Sequence, residues 1–204
     1  MKLYWSSRSP FARKVSLAAC ELGLLERMEL VPTVVSILKP DAALLALNPL
    51  SMIPTLVLDD GAVMHDSLVI CEYLDMISGK PRLFPQQQPA RAEALSRHAT
   101  GQALMETLVR WFGERKRGDD PLQPAYIQAH RDKFNRTLDA VNAACKNWPA
   151  ARFDIGDIAV AVLLTYADFR FEQEQWRQGR DHLAHWFAQV EQRASMRATA
   201  FVAP

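Results

Sequence analysis

Cysteine is scarce in this chain of 204 residues: Cys20, Cys71 and Cys145 are all there is. The number is odd and the spacing wide. That excludes a disulfide framework and a zinc-type pairing, and it fits reduced thiols in a cytoplasmic protein. Charge of one sign is not in excess either, with 24 Lys and Arg against 23 Asp and Glu and a net charge of +1. Nothing in that total favours nucleic acid or a membrane surface. Long hydrophobic runs are missing. The longest, Ile158 to Leu164, falls far short of the ~20 apolar residues of a membrane helix. The opening Met1-Lys2-Leu3-Tyr4-Trp5 turns polar too quickly for a signal peptide. No internal repeat or low-complexity segment is evident. What is present is a 49% hydrophobic content, enough for a real core. The length allows one large domain or two small ones.

One stretch, Asn48 to Ser67, organises the rest. Pro54 stands where a strand should begin, since Thr55 to Leu58 is apolar and β-rich and proline gives no ladder bond. Asp59-Asp60-Gly61 reads as a tight hairpin turn before a second short strand, Ala62 to Met64. Asp66-Ser67 then opens a helix with apolar residues at Ile70, Tyr73, Leu74 and Ile77. A restrained backbone thus comes close to a helix N-terminus, where a carboxylate or phosphate is well received.

Before this stretch, Lys2 to Trp5 is a β candidate and Ser6-Ser7-Arg8-Ser9 a polar turn. Pro10 suits the first position of a helix whose stripe is Phe11, Val15, Ala18, Ala19 and Leu22. Gly23 fits the C-terminal cap and Met28 to Val31 a second strand, which makes a parallel, right-handed βαβ unit. With a short helix over Asp41 to Leu47, residues 1–79 read β-α-β-α-β-β-α, a small α/β domain. Residues 80–89 form the linker, with prolines at 81, 85 and 89. Strand signals then fade, and residues 90–204 read as all-helical. The expected helices are Ala90 to Arg117, weaker at Gly101, and Tyr126 to Asn147. Asp154-Ile155-Gly156-Asp157 has the pattern of a capping box before a helix apolar nearly all round, Ile155 to Ala167. Asp181 to Arg193 closes the series as an amphipathic helix.

Taken together, the N-terminal strand, Ser6-x-x-Ser9-Pro10-Phe11-Ala12-Arg13-Lys14-Val15, Asn48-Pro49-Leu50-x-x-Ile53-Pro54-Thr55-Leu56 and the helix-opening Asp66-Ser67 resemble the glutathione S-transferase family. The helical half with its Asp-x-x-Asp is similar to that family's capping box. The likeness spans the whole chain and is strongest for bacterial members that use serine near the first strand. It implies α/β plus all-α architecture, a thioredoxin-like N-terminal domain followed by an all-helical C-terminal bundle. It also implies a cis Ile53-Pro54 bond, beside which glutathione would lie extended like an added strand. Ser67 and its helix N–H would hold the γ-glutamyl carboxylate, and Asp66 would face the ammonium group. Ser9 would donate a hydrogen bond to the glutathione thiolate and so favour the charged, nucleophilic form. The function implied is conjugation of glutathione to a small apolar electrophile, a detoxification chemistry, in a cytoplasmic homodimer. Glutathione is then a co-substrate, and no other cofactor is implied. Rival readings are a non-catalytic binding or regulatory protein on the same fold, and a glutathione-dependent isomerase or peroxidase.

Each of these residues also has a plainer reading. Ser9 and Asp66-Ser67 serve equally as helix caps, and Ser6 or Ser7 could take the place of Ser9 at the thiol. The family often has Gly-Lys where Ser51-Met52 stand, and Lys39 is the substitute for the missing cation. Phe11, Trp111 and Phe112 are candidates for the electrophile pocket, with core packing the alternative for Trp111 and Phe112. His182 and His185 have helical spacing but no third ligand, so no metal site is read. Arg110 to Arg117 is basic with aromatics and reads as a solvated helix end.

Overall fold

The computed structural model describes residues 1–79, 82–116, 118–149 and 151–202. Lys80 and Pro81 of the expected linker, and the expected helix end at Arg117, lie outside them. The chain divides into two compact units, Met1–Arg91 together with the C-terminal residues from Ala194, and Ala92–Arg193.

The first unit holds a four-stranded sheet in the order β2-β1-β3-β4. The strands are β1 (Lys2–Trp5), β2 (Glu29–Pro32), β3 (Thr55–Val57) and β4 (Val63–Met64). The β1–β2 pair is parallel with Leu3 opposite Leu30, as a strand–helix–strand crossover requires. The β1–β3 and β3–β4 pairs are antiparallel, with Tyr4 opposite Thr55 and Leu56 opposite Met64. Helix α1 (Pro10–Glu21) begins on Pro10 as expected and ends in a full Schellman cap. Leu24 N donates to Ala19 O at 2.8 Å and Gly23 N to Cys20 O at 3.1 Å. This needs a left-handed residue between them, which Gly23 supplies at φ +69°. Helix α2 (Ala42–Leu47) is capped by Asp41, whose side chain accepts from Leu44 N at 2.8 Å. Gly61, at φ +86°, closes the β3–β4 hairpin. Helix α3 (Ser67–Ile77) packs against α1. After it, Asp75 accepts from the backbone N–H groups of Arg82, Leu83 and Phe84 at 2.8 to 3.2 Å, which satisfies an otherwise ladderless segment.

The stripe expected on α1 is too narrow. From Ala12 to Ala19 the helix is buried on every side. The reason is a C-terminal helix the sequence did not reveal, α8 (Ala194–Ala198), which packs on α1 from the far end of the chain. Ser195 Oγ donates to Glu21, Arg13 Nη2 donates to Met196 O at 3.1 Å, and Val202 N donates to Ser7 O at 3.4 Å.

The second unit is helical among its described residues: α4 (Ala90–Glu114), α5 (Gln123–Cys145), α6 (Ile155–Phe171) and α7 (Asp181–Val190). The weak point expected at Gly101 does not interrupt α4. A Cβ there would sit 2.9 Å from the Ala159 carbonyl carbon, so glycine lets α4 and α6 approach backbone to backbone. Residues Ala94, His98, Gly101, Leu104, Met105, Leu108 and Trp111 form the buried stripe of α4. Helix α6 is buried nearly throughout, as its all-round apolar sequence implied.

Candidate functional site

The register of the sheet brings three segments to one end of the first unit. Helix α1 follows the end of β1, where Tyr4 pairs with Thr55. Pro54 is therefore beside the exit of β1, next to the Ser6–Ser9 turn. Strand β4 runs back along β3, so its end at Met64, and with it Asp66-Ser67, returns to the same edge.

The middle segment is held by a buried amide. Asn48 is fully buried, and its Nδ2 donates to Met52 O at 3.2 Å and to Thr55 Oγ1 at 3.0 Å. Its Oδ1 accepts from Leu50 N at 3.0 Å, and Thr55 Oγ1 donates to Met52 O at 2.8 Å. Every polar atom of the Asn48 side chain is thus spent on fixing residues 50–55. Ser51 sits at φ +49°, in the left-handed region that favours glycine, which accounts for the glycine that stands here in the resembled family. Ile53–Pro54 is cis, as the resemblance implied, and His65–Asp66 is cis as well. Ile53 lies just before β3 and makes no hydrogen bond among the described residues.

Two helix starts flank this loop. Asp66 is the exposed N-cap of α3 and accepts from Leu68 N at 2.6 Å. Ser67 is 2% exposed, and its Oγ is closed off with no hydrogen-bond partner. Such an orphaned hydroxyl costs about 1–3 kcal/mol unless something supplies a partner. Ser9 is the N-cap of α1, its Oγ accepting from Ala12 N at 3.2 Å. Accepting with a lone pair leaves the hydroxyl proton free to donate. Ser6 Oγ accepts from Arg8 N at 3.3 Å, and Ser7 holds the C-terminal tail through its carbonyl.

Other candidates fall elsewhere. Lys39 stands on an exposed loop, tied only by its backbone N–H to Ser36 Oγ at 3.2 Å, and makes no ion pair among the described residues. Phe11 is half-buried on α1. Trp111 is fully buried inside the second unit, its ring 4.7 Å from that of Phe171 and 6.2 Å from that of Phe134. Of its two readings the structure gives core packing. Phe112 is half-buried, with Lys116 Nζ 4.4 Å and the Arg170 guanidinium 4.8 Å from its ring centre.

The thiols are poor nucleophiles. Burial pushes Cys71 up to about 12 and Cys145 up to about 11, and it raises Cys20 as well. Cys145 is 3% exposed because α5 and α7 pack together. Among the described residues no cluster of His, Cys, Asp or Glu could hold a metal, and no helix is long and apolar enough to cross a membrane. Sequence reasoning missed the roles of Asn48 and Ser51. Asparagine before proline, close to a second proline, was the available signal for a side chain that closes a turn on its own backbone.

Comparison with known proteins adds the following. Residues 8–77 match the family model of the glutathione S-transferase N-terminal domain, and residues 124–189 that of the C-terminal domain. A glutathione transferase family member from Pseudomonas fluorescens Pf-5, solved with bound glutathione, is 37% identical, with a TM-score of 0.92 and 99% of each chain covered. A glutathione S-transferase from Methylobacillus flagellatus, also solved with glutathione, is 31% identical, with a TM-score of 0.85 over 98% of this chain and 99% of that one. The GST-like protein YibF of Escherichia coli K12, described as uncharacterised, is 26% identical over 98% of both chains.

Proposed function

Because the chain belongs to the glutathione S-transferase family, we propose that it binds glutathione at this end of its sheet and conjugates the thiolate to a small apolar electrophile. The observation that carries the reading is the Ser67 hydroxyl, buried and unpartnered at the start of α3, beside Asp66 and on the sheet end that also bears Ser9. Ser67 and the α3 N-terminus receive the γ-glutamyl carboxylate, where the helix dipole favours negative charge. Asp66 meets the ammonium group, and Ile53, with its backbone groups unspent, pairs with the cysteinyl residue. Ser9 donates to the thiolate, the role that makes this a serine-type enzyme. Phe11 supplies an apolar wall on the first unit. Free thiols and a near-zero net charge support a cytoplasmic setting.

Wild-type protein is expected to be retained on immobilised glutathione and to conjugate it to an aryl halide. Asp66→Ala is expected to weaken glutathione about tenfold, the loss of one charge-assisted contact, while the urea melt shifts only by the value of a helix cap, about 1 kcal/mol. Unaltered affinity in this variant places the ligand elsewhere. The rival is a binding protein without turnover. It is favoured by exposed Met52 in place of the family's lysine and by Lys39 standing unengaged; retention without conjugation decides for it. We extend the same reading to a homodimer. Ile37 and Leu38 are 95% and 98% exposed, with Leu50 and Met52 also open to solvent, an apolar surface that a second copy would cover. Sedimentation equilibrium at micromolar concentration is expected to give twice the chain mass, and a monomer there removes the dimer from the proposal.

A further inference from the structure

A second feature of the first unit lies under the C-terminal tail. A cavity of about 130 Å³ is lined by Trp5, Ser7, Arg13 and Ser16 on one side and by Thr199 and Val202 on the other. Ser9, Ile53, Pro54, Asp66 and Ser67 do not border it, and among the described residues no acidic side chain lines it. Arg13 is 4% exposed. Its guanidinium has one carbonyl, Met196 O at 3.1 Å, and one ring face, Phe201 at 4.5 Å, but no carboxylate among the described residues. Its Nε–H has no partner, and neither has the indole Nε1–H of Trp5; both are sealed from bulk solvent. Two of the hydroxyls in the wall are already committed as donors, Ser16 to Ala12 O and Thr199 to Ser195 O.

A buried guanidinium without a counter-charge is costly. Burial lowers Arg13 to about 10, which still leaves it charged at neutral pH. Arg13 and Trp5, each with an orphaned N–H, both border the cavity, and a positive charge that faces no acidic group among the described residues calls for an acceptor that carries negative charge. We propose that this cavity binds a small oxyanion, a carboxylate or phosphate-type group, held by Arg13 and the Trp5 indole beneath the C-terminal tail. The volume suits such a group with a water or two, a water taking about 30 Å³, and excludes a tripeptide. The anion would tie α1, the β1 exit and the tail into one block.

The test is the indole region of a nitrogen-15 correlation spectrum of the full chain, titrated with sodium phosphate and separately with sodium acetate while chloride holds the ionic strength constant. The Trp5 cross-peak is expected to move saturably in the millimolar range with at least one of the two anions, while the indoles of Trp111, Trp148, Trp176 and Trp186 in the second unit stay fixed. Which anion moves it separates a phosphate-type ligand from a carboxylate. In Arg13→Gln the affinity is expected to fall at least tenfold. A Trp5 peak that ignores both anions, or that titrates alike in Arg13→Gln, overturns the proposal. Where Arg13→Gln does not fold, calorimetry of Trp5→Phe with the active anion replaces it. A fivefold or greater loss is expected, and an unchanged affinity overturns the assignment. Glutathione retention is scored in parallel, so failure of this site and failure of the transferase reading stay distinguishable.

Discussion

Replacing Ser9 by alanine is expected to lower the conjugation rate at neutral pH by about ten- to a hundredfold while retention on glutathione survives. The magnitude follows from the thiol. A free thiol titrates near 8.5, and each unit of lowering is worth ~1.4 kcal/mol. One hydrogen bond to the charged form, added to the field of a helix start, supplies one to two such units in general terms. The geometry makes Ser9 able to give it. Its Oγ accepts from Ala12 N at 3.2 Å, so the oxygen is oriented by the helix and the proton is left to donate. Alanine removes both functions, and the two can be read apart. Loss of the cap lowers stability by about 0.5–2 kcal/mol, visible in a urea melt and unrelated to substrate. Loss of the donor moves the rising limb of the pH–rate profile upward by one to two units, which restores much of the rate at high pH. A profile that stays in place while Ser6→Ala or Ser7→Ala abolishes turnover would sink the assignment. In the structure Ser7 is bound through its backbone carbonyl to the tail, and Ser6 Oγ accepts within its own turn.

The sequence displayed the first unit clearly because its signals are local. Pro10, Gly23, Asp59-Asp60-Gly61 and Asp66 each act on the two or three residues beside them, and each is found in the role its chemistry predicts. Edges drift by one to three residues: β3 stops at Val57 rather than Leu58, and α5 starts at Gln123 rather than Tyr126. What could not be read is set by residues far apart in the chain. Gly101 looks like a weak point until Ala159 is seen against it. Arg13 looks like a surface arginine until a tail more than 180 residues later covers it. Trp111 carries no mark that tells a pocket wall from a core residue; only Phe134 and Phe171 closing around it decide. At the candidate site, the residue types of Ser9, Ile53, Pro54, Asp66 and Ser67 were visible in the motifs. Their meeting at one sheet end rests on β1 pairing with β3, a register that no local pattern encodes.

The capping box of α6 gives the largest expected loss of stability. Asp154 accepts from Gly156 N at 2.9 Å and Asp157 N at 3.1 Å, and Asp157 returns the bond by accepting from Asp154 N at 3.2 Å. Two arginines close the cluster. Arg152 grips Asp157 with two bonds of 2.8 Å, and Arg97 of α4 reaches Asp154 at 2.5 Å. Asp157 is fully buried and Asp154 4% exposed. Burial, then the neighbouring Asp157, holds the Asp154 carboxyl above its ordinary range, opposed by Arg97. Such a cluster is a weak source of net stability when whole, because desolvation offsets attraction, but breaking it strands charge inside the protein. Asp157→Ala removes the acceptor of Arg152 and of the Asp154 N–H together. The expected loss is about 3–5 kcal/mol, or roughly 6–20 °C in melting temperature for a chain of this size. Arg152→Ala alone is expected to cost less, since its side chain is partly open to solvent and Arg97 still faces both carboxylates. The double variant should then cost less than the sum of the two, because the arginine no longer has a lost partner to miss. Urea melts of the four proteins give the coupling directly. Strict additivity, or a loss below 1 kcal/mol for Asp157→Ala, would mean that α6 is anchored by its apolar faces and not by its N-terminus.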